Sequence, residues 1–230
     1  MGRNLSLEAQ LPIVTTFSKR VKMKIFLMGA SGMVGSRILA EAVARGHEVI
    51  AGARNPDRIA DLPGVTRLKL EGTDAEALRE AAKGADVYVS ALSPRSTADA
   101  VTEAKSYAEA LIKAAAGKRV LMVGGAGSLS LPDGTPVVDI LPPEYVNEAR
   151  GMKAAWGLLE ASGLEWTILA PSAEIAPGAK TGSYHVGGTT LLSDTQGRSH
   201  ISAEDFADAV VTEVESPRVP RQLATVGYTA

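Results

Sequence analysis

The chain has 230 residues, 45% of them hydrophobic, which is enough for one large domain with a substantial core and argues against disorder. Its 24 basic and 26 acidic residues leave a formal charge of -2, so no global field favours nucleic acid or an anionic membrane, and any partner must be recognised locally. The absence of cysteine excludes disulfides, thiol nucleophiles and cysteine metal sites.

Residues 1–22 stand apart as an N-terminal extension that is expected to be poorly ordered: a polar opening and a basic SKRVK flank the short apolar piece LPIV. This is not a signal peptide, and Glu8 and Pro12 interrupt the amphipathic helix that an organelle-targeting leader would need. No apolar run approaches the roughly 18 residues that span a bilayer. The reading is a soluble, cytoplasmic protein whose single domain begins near Met23.

Residues 23–35, MKIFLMGASGMVG, run a buried-strand pattern into three glycines, Gly29, Gly32 and Gly35, and then into a helix with Val34, Ile38, Leu39, Ala42 and Val43 at helical spacing. Gly46 is the expected stop. A strand, a glycine turn and a helix in this order build a cradle for a dinucleotide diphosphate. The first glycine permits the tight turn, the second the close approach of phosphate, and the third the packing of helix on strand. Backbone amides at the positive helix end then face the anion, which makes Ser31, Met33 and Val34 contacts as well.

Strand-like segments follow at 48–53, 65–70, 86–91, 119–123 and 165–169, alternating with helix-like segments at 74–82, 97–116 and 144–161. Such alternation predicts a Rossmann-like, doubly wound parallel sheet with helices on both faces. Two long stretches rich in Gly, Pro, Ser and Thr, 124–143 and 171–200, follow the fifth and sixth strands and so lie on the carboxyl edge, where ligands bind. ISAEDFADAVVTEVE, 201–215, is a closing helix capped by Ser202, and a strand near 223–227 completes a small C-terminal substrate lobe.

The end of the second strand selects the dinucleotide. An NAD site offers an Asp or Glu there to the ribose hydroxyls, whereas this chain has Arg54 in AGARNPDR, with Arg58 one turn on. A guanidinium forks onto the extra phosphate of NADP, so NADP(H) is favoured over NAD(H), although both arginines also suit a solvated surface. Glu71 and Gly72, after the third strand, are placed at the adenine amine, or Glu71 is simply a polar strand end; Asp74 reads as a helix N-cap. Ala91, Leu92 and Ser93 run beside the ribose and nicotinamide, and Arg95 either covers the diphosphate or starts the next helix from solvent. Gly124 and Gly125 leave room above the nicotinamide, with Pro171 and Ser172 closing one side.

GASGMVG, GARNPDR, DVYVSALSP, VLMVGGAGSL and SGLEWTILAPS together resemble the atypical short-chain dehydrogenase/reductases, in their small NAD(P)H-binding branch related to biliverdin reductase B, flavin reductases and redox-sensing NmrA-like proteins. The resemblance covers about residues 23–228 and implies strand order 3-2-1-4-5-6 with NADP(H) along the carboxyl edge. It implies cofactor binding more firmly than any reaction. Short-chain enzymes acting on carbinols and ketones use a Tyr-x-x-x-Lys pair, yet the aligned positions here are Glu148 and Met152, and Tyr145 and Lys153 stand eight apart rather than four. The serine position is likewise taken up by GGAG, with Ser128 just beyond.

A conjugated acceptor tolerates the missing acid, because its π system spreads the arriving charge. The leading expectation is therefore an NADPH-dependent reductase of a flavin, such as FMN or FAD taken as substrate, or a quinone. A non-catalytic redox sensor is the rival, and a sugar-nucleotide epimerase or dehydratase comes third. Catalytic candidates are Ser128, Tyr145, Tyr184 and His185, the last three as possible walls of the acceptor pocket. The three histidines have no metal-ligand spacing, and no metal is expected. The expected partner is a small molecule, with the chain a monomer or homodimer that binds neither nucleic acid nor membrane.

Overall fold

A computed structural model describes residues 22–95 and 99–229; the expected N-terminal extension, save Lys22, and the start of the helix expected at 97–116 lie outside these. The central sheet has eight strands in the order β3-β2-β1-β4-β5-β6-β10-β8. They are β1 (Lys24–Met28), β2 (Glu48–Ala53), β3 (Val65–Lys69), β4 (Val87–Ser90), β5 (Arg119–Val123), β6 (Trp166–Pro171), β8 (His185–Val186) and β10 (Gln222–Gly227). All neighbours pair in parallel except β10 with β8. The expected order 3-2-1-4-5-6 is present, with β10 added beyond β6.

Why these segments form inner strands is plain from their composition. Parallel strands covered on both faces must be apolar throughout, and IFLM, VYVS and WTILAP are buried at every position. The edge strand β3, VTRLK, has no fully buried residue, and its charges discourage further pairing.

Helices α2 (Ala75–Ala81), α3 (Ala100–Ala115) and α4 (Pro143–Ala161) cover one face, while α1 (Met33–Ala44) and α5 (Ala203–Glu215) pack together on the other. Side-chain caps fix where three of them begin. Asp74 accepts from the Ala77 amide at 3.0 Å, Asp99 from Thr102 at 3.2 Å and Ser202 from Asp205 at 3.0 Å, each satisfying an amide the helix cannot. Fully buried Phe26 and Phe206 anchor the two cores, and removing either to Ala is expected to cost about 3–5 kcal/mol.

The C-terminal part is less separate than a lobe. α5 seals the α1 face with Phe206, Val210, Val211 and Val214, and β10 pairs with β6 through Val226↔Pro171. What leaves the main sheet is a two-stranded parallel pair, β7 (Glu174–Ala176) with β9 (His200–Ser202). Buried Asp205 holds the loop after β7 by accepting from Thr181 N, Thr181 Oγ1, Gly182 N and Tyr228 Oη at 2.5–2.9 Å. Among the described residues no helix is long and apolar enough to cross a membrane.

Candidate functional site

The carboxyl edge of the sheet opens into one continuous groove. Its first half, a cavity of about 410 Å³, lies over β1, β2 and the start of α1; the second, about 520 Å³, lies over β4, β5 and β6. Gly32, Met33, Ala91, Leu92, Ser93 and Arg95 line both and join them.

The turn between β1 and α1 is built from backbone. The Gly29 and Ala30 amides both donate to Gly52 O, at 3.0 and 3.3 Å, which straps the turn to the end of β2. Gly29 has φ +80°, and a Cβ there would meet Ala91 O at 2.6 Å, so only glycine fits. At Gly35 a Cβ would overlap the Gly29 carbonyl, so helix and turn touch backbone to backbone. α1 begins at Gly32 with no side-chain cap and no acidic residue in its first turn. Among the described residues, the amides of Met33, Val34 and Gly35 find no acceptor. Three unpaired donors at a positive helix end are a fit for a diphosphate, and an intramolecular cap would have competed for them.

The structure brings nearly all the expected cofactor positions to this groove. Gly29, Ser31, Arg54, Arg58, Glu71 and Gly72 line the first cavity; Val34, Gly124, Gly125, Pro171 and Ser172 line the second; Gly32, Met33, Ala91, Leu92 and Ser93 line both. Gly35 lines neither, since its part is the close packing beneath the turn. Ser172 is buried and donates to Val226 O at 3.2 Å, so its side chain is already engaged.

Tyr107 of α3, unmarked by any motif, also lines the first cavity. Its hydroxyl donates to Glu103 at 2.5 Å, and Glu103 in turn accepts from the Arg95 amide at 2.8 Å, tying the connection after β4 to α3. Burial first, then the bond to Glu103, pushes the Tyr107 hydroxyl up to about 12; Arg54 acts in the opposite direction. Tyr107 is therefore a neutral aromatic wall at any ordinary pH.

The acceptor candidates separate. Tyr145, 55% exposed, lines the second cavity, as do Glu148, Ala149 and Met152 at i+3, i+4 and i+7 along α4. The two positions aligned with the usual Tyr-Lys pair, Glu148 and Met152, thus stand one turn apart on the cavity wall, and Met152 is at once buried and a lining residue. Ser128 sits in the turn Ala126–Ser128, whose first two residues line the cavity while it does not.

Tyr184 and His185 are elsewhere. Tyr184 donates to Asp208 at 2.6 Å on the α5 side, and burial together with that bond raises its hydroxyl pKa. His185 is on β8, two strands beyond β6, with Nδ1 2.6 Å from Thr229 Oγ1. The expectation that all of 171–200 faces substrate misses that 185–186 pairs antiparallel with β10, which carries it about 10 Å outward at the usual strand spacing.

Residues 29–217 match the family described as NAD(P)H-binding. The chain belongs to the NAD(P)H-binding family. In sequence it is similar to the uncharacterized protein YwnB of Bacillus subtilis, 35% identical over 89% of this chain and 98% of that protein's length. Among solved structures, a proposed epimerase from Bacteroides thetaiotaomicron is 33% identical with a TM-score of 0.83, covering 91% of this chain and 99% of that one. A proposed NADH-flavin reductase from Streptococcus pneumoniae is 28% identical with a TM-score of 0.81, covering 90% and 100%. Family and neighbours agree with the resemblance to the small NAD(P)H-binding branch of the atypical short-chain dehydrogenase/reductases, and the fold is Rossmann-like throughout the match.

Proposed function

We propose that the chain is an NADPH-dependent reductase that passes hydride to a small conjugated acceptor, a flavin or a quinone. The observation that carries this reading is the second cavity. It is a largely apolar space of about 520 Å³ above Gly124 and Gly125, open rather than filled, in the range of small-molecule sites. An open slot suits turnover, whereas a redox sensor needs no room for a second ring.

When bound, reduced nicotinamide supplies a hydride. The chain's residues do the rest by holding. The free amides of Met33, Val34 and Gly35 would take the diphosphate. Arg54 and Arg58, both exposed on the first cavity, would take the additional phosphate of NADPH, where NADH offers only a ribose hydroxyl. Gly125, whose Cβ direction is open to 3.9 Å, leaves the ring face uncovered on the acceptor side. With Glu148 and Met152 in place of a Tyr-Lys pair, α4 lacks the usual acid and its pKa-lowering lysine, so the acceptor must be one whose reduced form takes its proton from water. A small molecule is the only partner this site requires. The presence among the relatives of a proposed NADH-flavin reductase supports the choice of acceptor class.

The test is NADPH consumption with FMN, riboflavin, a naphthoquinone and biliverdin, each against a protein-free control. Turnover with at least one ring acceptor is expected. Inactivity with all of them, despite NADPH binding, would replace the reductase by a sensor.

A further inference from the structure

Two charged side chains line the second cavity without an internal task. Arg95 comes from the connection after β4 and Glu148 from the second turn of α4. The Arg95 backbone amide is engaged by Glu103, but among the described residues its guanidinium has no hydrogen bond or ion pair. The same holds for the Glu148 carboxylate, and the two do not pair with each other. In a largely apolar cavity they are its two charged lining residues, both exposed, one a strong donor and the other a strong acceptor.

Each kind of acceptor molecule meets that pair differently. A quinone presents only carbonyl oxygens at its ring edge, so it can use Arg95 but leaves the carboxylate facing lone pairs, an unfavourable arrangement. A heterocycle with a lactam or imide edge presents a ring N–H beside carbonyl oxygens, which answers both charges at once. On the strength of the reductase reading above, we infer that the acceptor is a conjugated heterocycle with such an edge, Glu148 accepting from its N–H and Arg95 donating to its carbonyl oxygen. The reduced nicotinamide is oxidised by loss of a hydride, the heterocycle is reduced by two electrons on gaining that hydride and a proton from water, and Glu148 and Arg95 transfer nothing.

The experiment compares lumiflavin with 3-methyllumiflavin, which differ in that one N–H, at saturating NADPH. The wild-type protein is expected to prefer lumiflavin by about tenfold in kcat/KM, the low end for a hydrogen bond to a charged group at an exposed position. Glu148→Ala should bring the ratio close to one by lowering the lumiflavin value, and Glu148→Gln, which keeps a carbonyl oxygen, should retain part of it. Arg95→Ala should weaken both flavins alike, since both keep their carbonyls, and leave the ratio intact. Equal kcat/KM for the two flavins in the wild-type protein, or a Glu148→Ala loss shared equally by both, would overturn the inference while leaving the reductase standing. If no flavin or quinone is turned over, the reductase reading fails instead, and fluorescence titration of the two flavins then decides this one: selective binding of lumiflavin that Glu148→Ala abolishes upholds it, and equal or absent binding overturns it.

Discussion

The two halves of the groove are made by different means. The first is backbone: a glycine turn strapped to Gly52 O, a helix start with free amides, and strand ends that place Arg54 and Glu71 by register alone. The second is assembled where separate segments meet, the glycine-rich floor at 123–127 with side chains from within 141–152 and 171–175. A site built from backbone tolerates little variation and fixes a common ligand; one built from side chains can be re-cut without touching the fold. The family description, NAD(P)H-binding, speaks to the first half alone.

If that division is right, damage to the first half should be severe and indiscriminate. Gly32 has φ −78° and ψ 170°, a backbone conformation any residue adopts; a Cβ there would stand 3.3 Å from Gly29 O, a contact that a small shift of the turn relieves, and the residue lines both cavities. Gly32→Val should leave the chain folded, yet weaken NADPH and NADH together by at least about 100-fold, the scale of losing several charge-assisted bonds. Calorimetric titration of both nucleotides checks this, and retained affinity would mean that the turn is only structural.

Damage to the second half should be severe for acceptors alone. Gly125→Leu places a side chain in open space, with only Met152 Cγ at 3.9 Å, so it fills the cavity without straining the core. Acceptor kcat/KM is expected to fall about 30-fold, with the NADPH dissociation constant changed less than about threefold. Losses of equal size in both constants would erase the boundary between the halves.

A smaller effect tests nucleotide choice within the first half. Arg54→Ala should raise the NADPH dissociation constant about tenfold, a figure discounted for the exposure of Arg54, and leave NADH nearly unchanged. Equal losses would make Arg54 an ordinary surface charge.

The smallest effect concerns Tyr107. Its folded hydroxyl keeps its proton to about pH 12, whereas an ordinary tyrosine releases it near 10. The unfolded chain therefore ionises first, so this stabilising contribution is complete below pH 10 and declines between pH 10 and 12. Tyr107→Phe should flatten part of the alkaline fall in melting temperature, and at pH 7 should show only the modest loss from the missing Glu103 bond. A variant with the same alkaline profile as wild type would show that the Glu103 bond does not matter.

How far each half was legible in the sequence follows from how it is built. Strand order and the glycine cradle were readable because apolar runs, glycines and helix caps are local signals, and Asp74 and Ser202 cap their helices where the pattern put them. Boundaries that depend on a distant partner were not: β6 runs on to Pro171, two residues past its expected end, because β10 pairs with that end. Tyr184 and His185 were drawn toward the site by sitting in a Gly- and Ser-rich stretch, but the edge of β10 and the carboxylate of Asp208 claim that segment. Tyr107 carried no signal at all, since only the packing of α3 brings it over the first cavity.

The central claim is that unpaired amides at the start of α1 hold the diphosphate of a nicotinamide nucleotide. Its most direct test is calorimetric titration of the protein with NADPH. Binding at one site per chain, with a dissociation constant in the micromolar range and a matching rise in melting temperature, is the expected result; no heat and no thermal shift at millimolar nucleotide would contradict it.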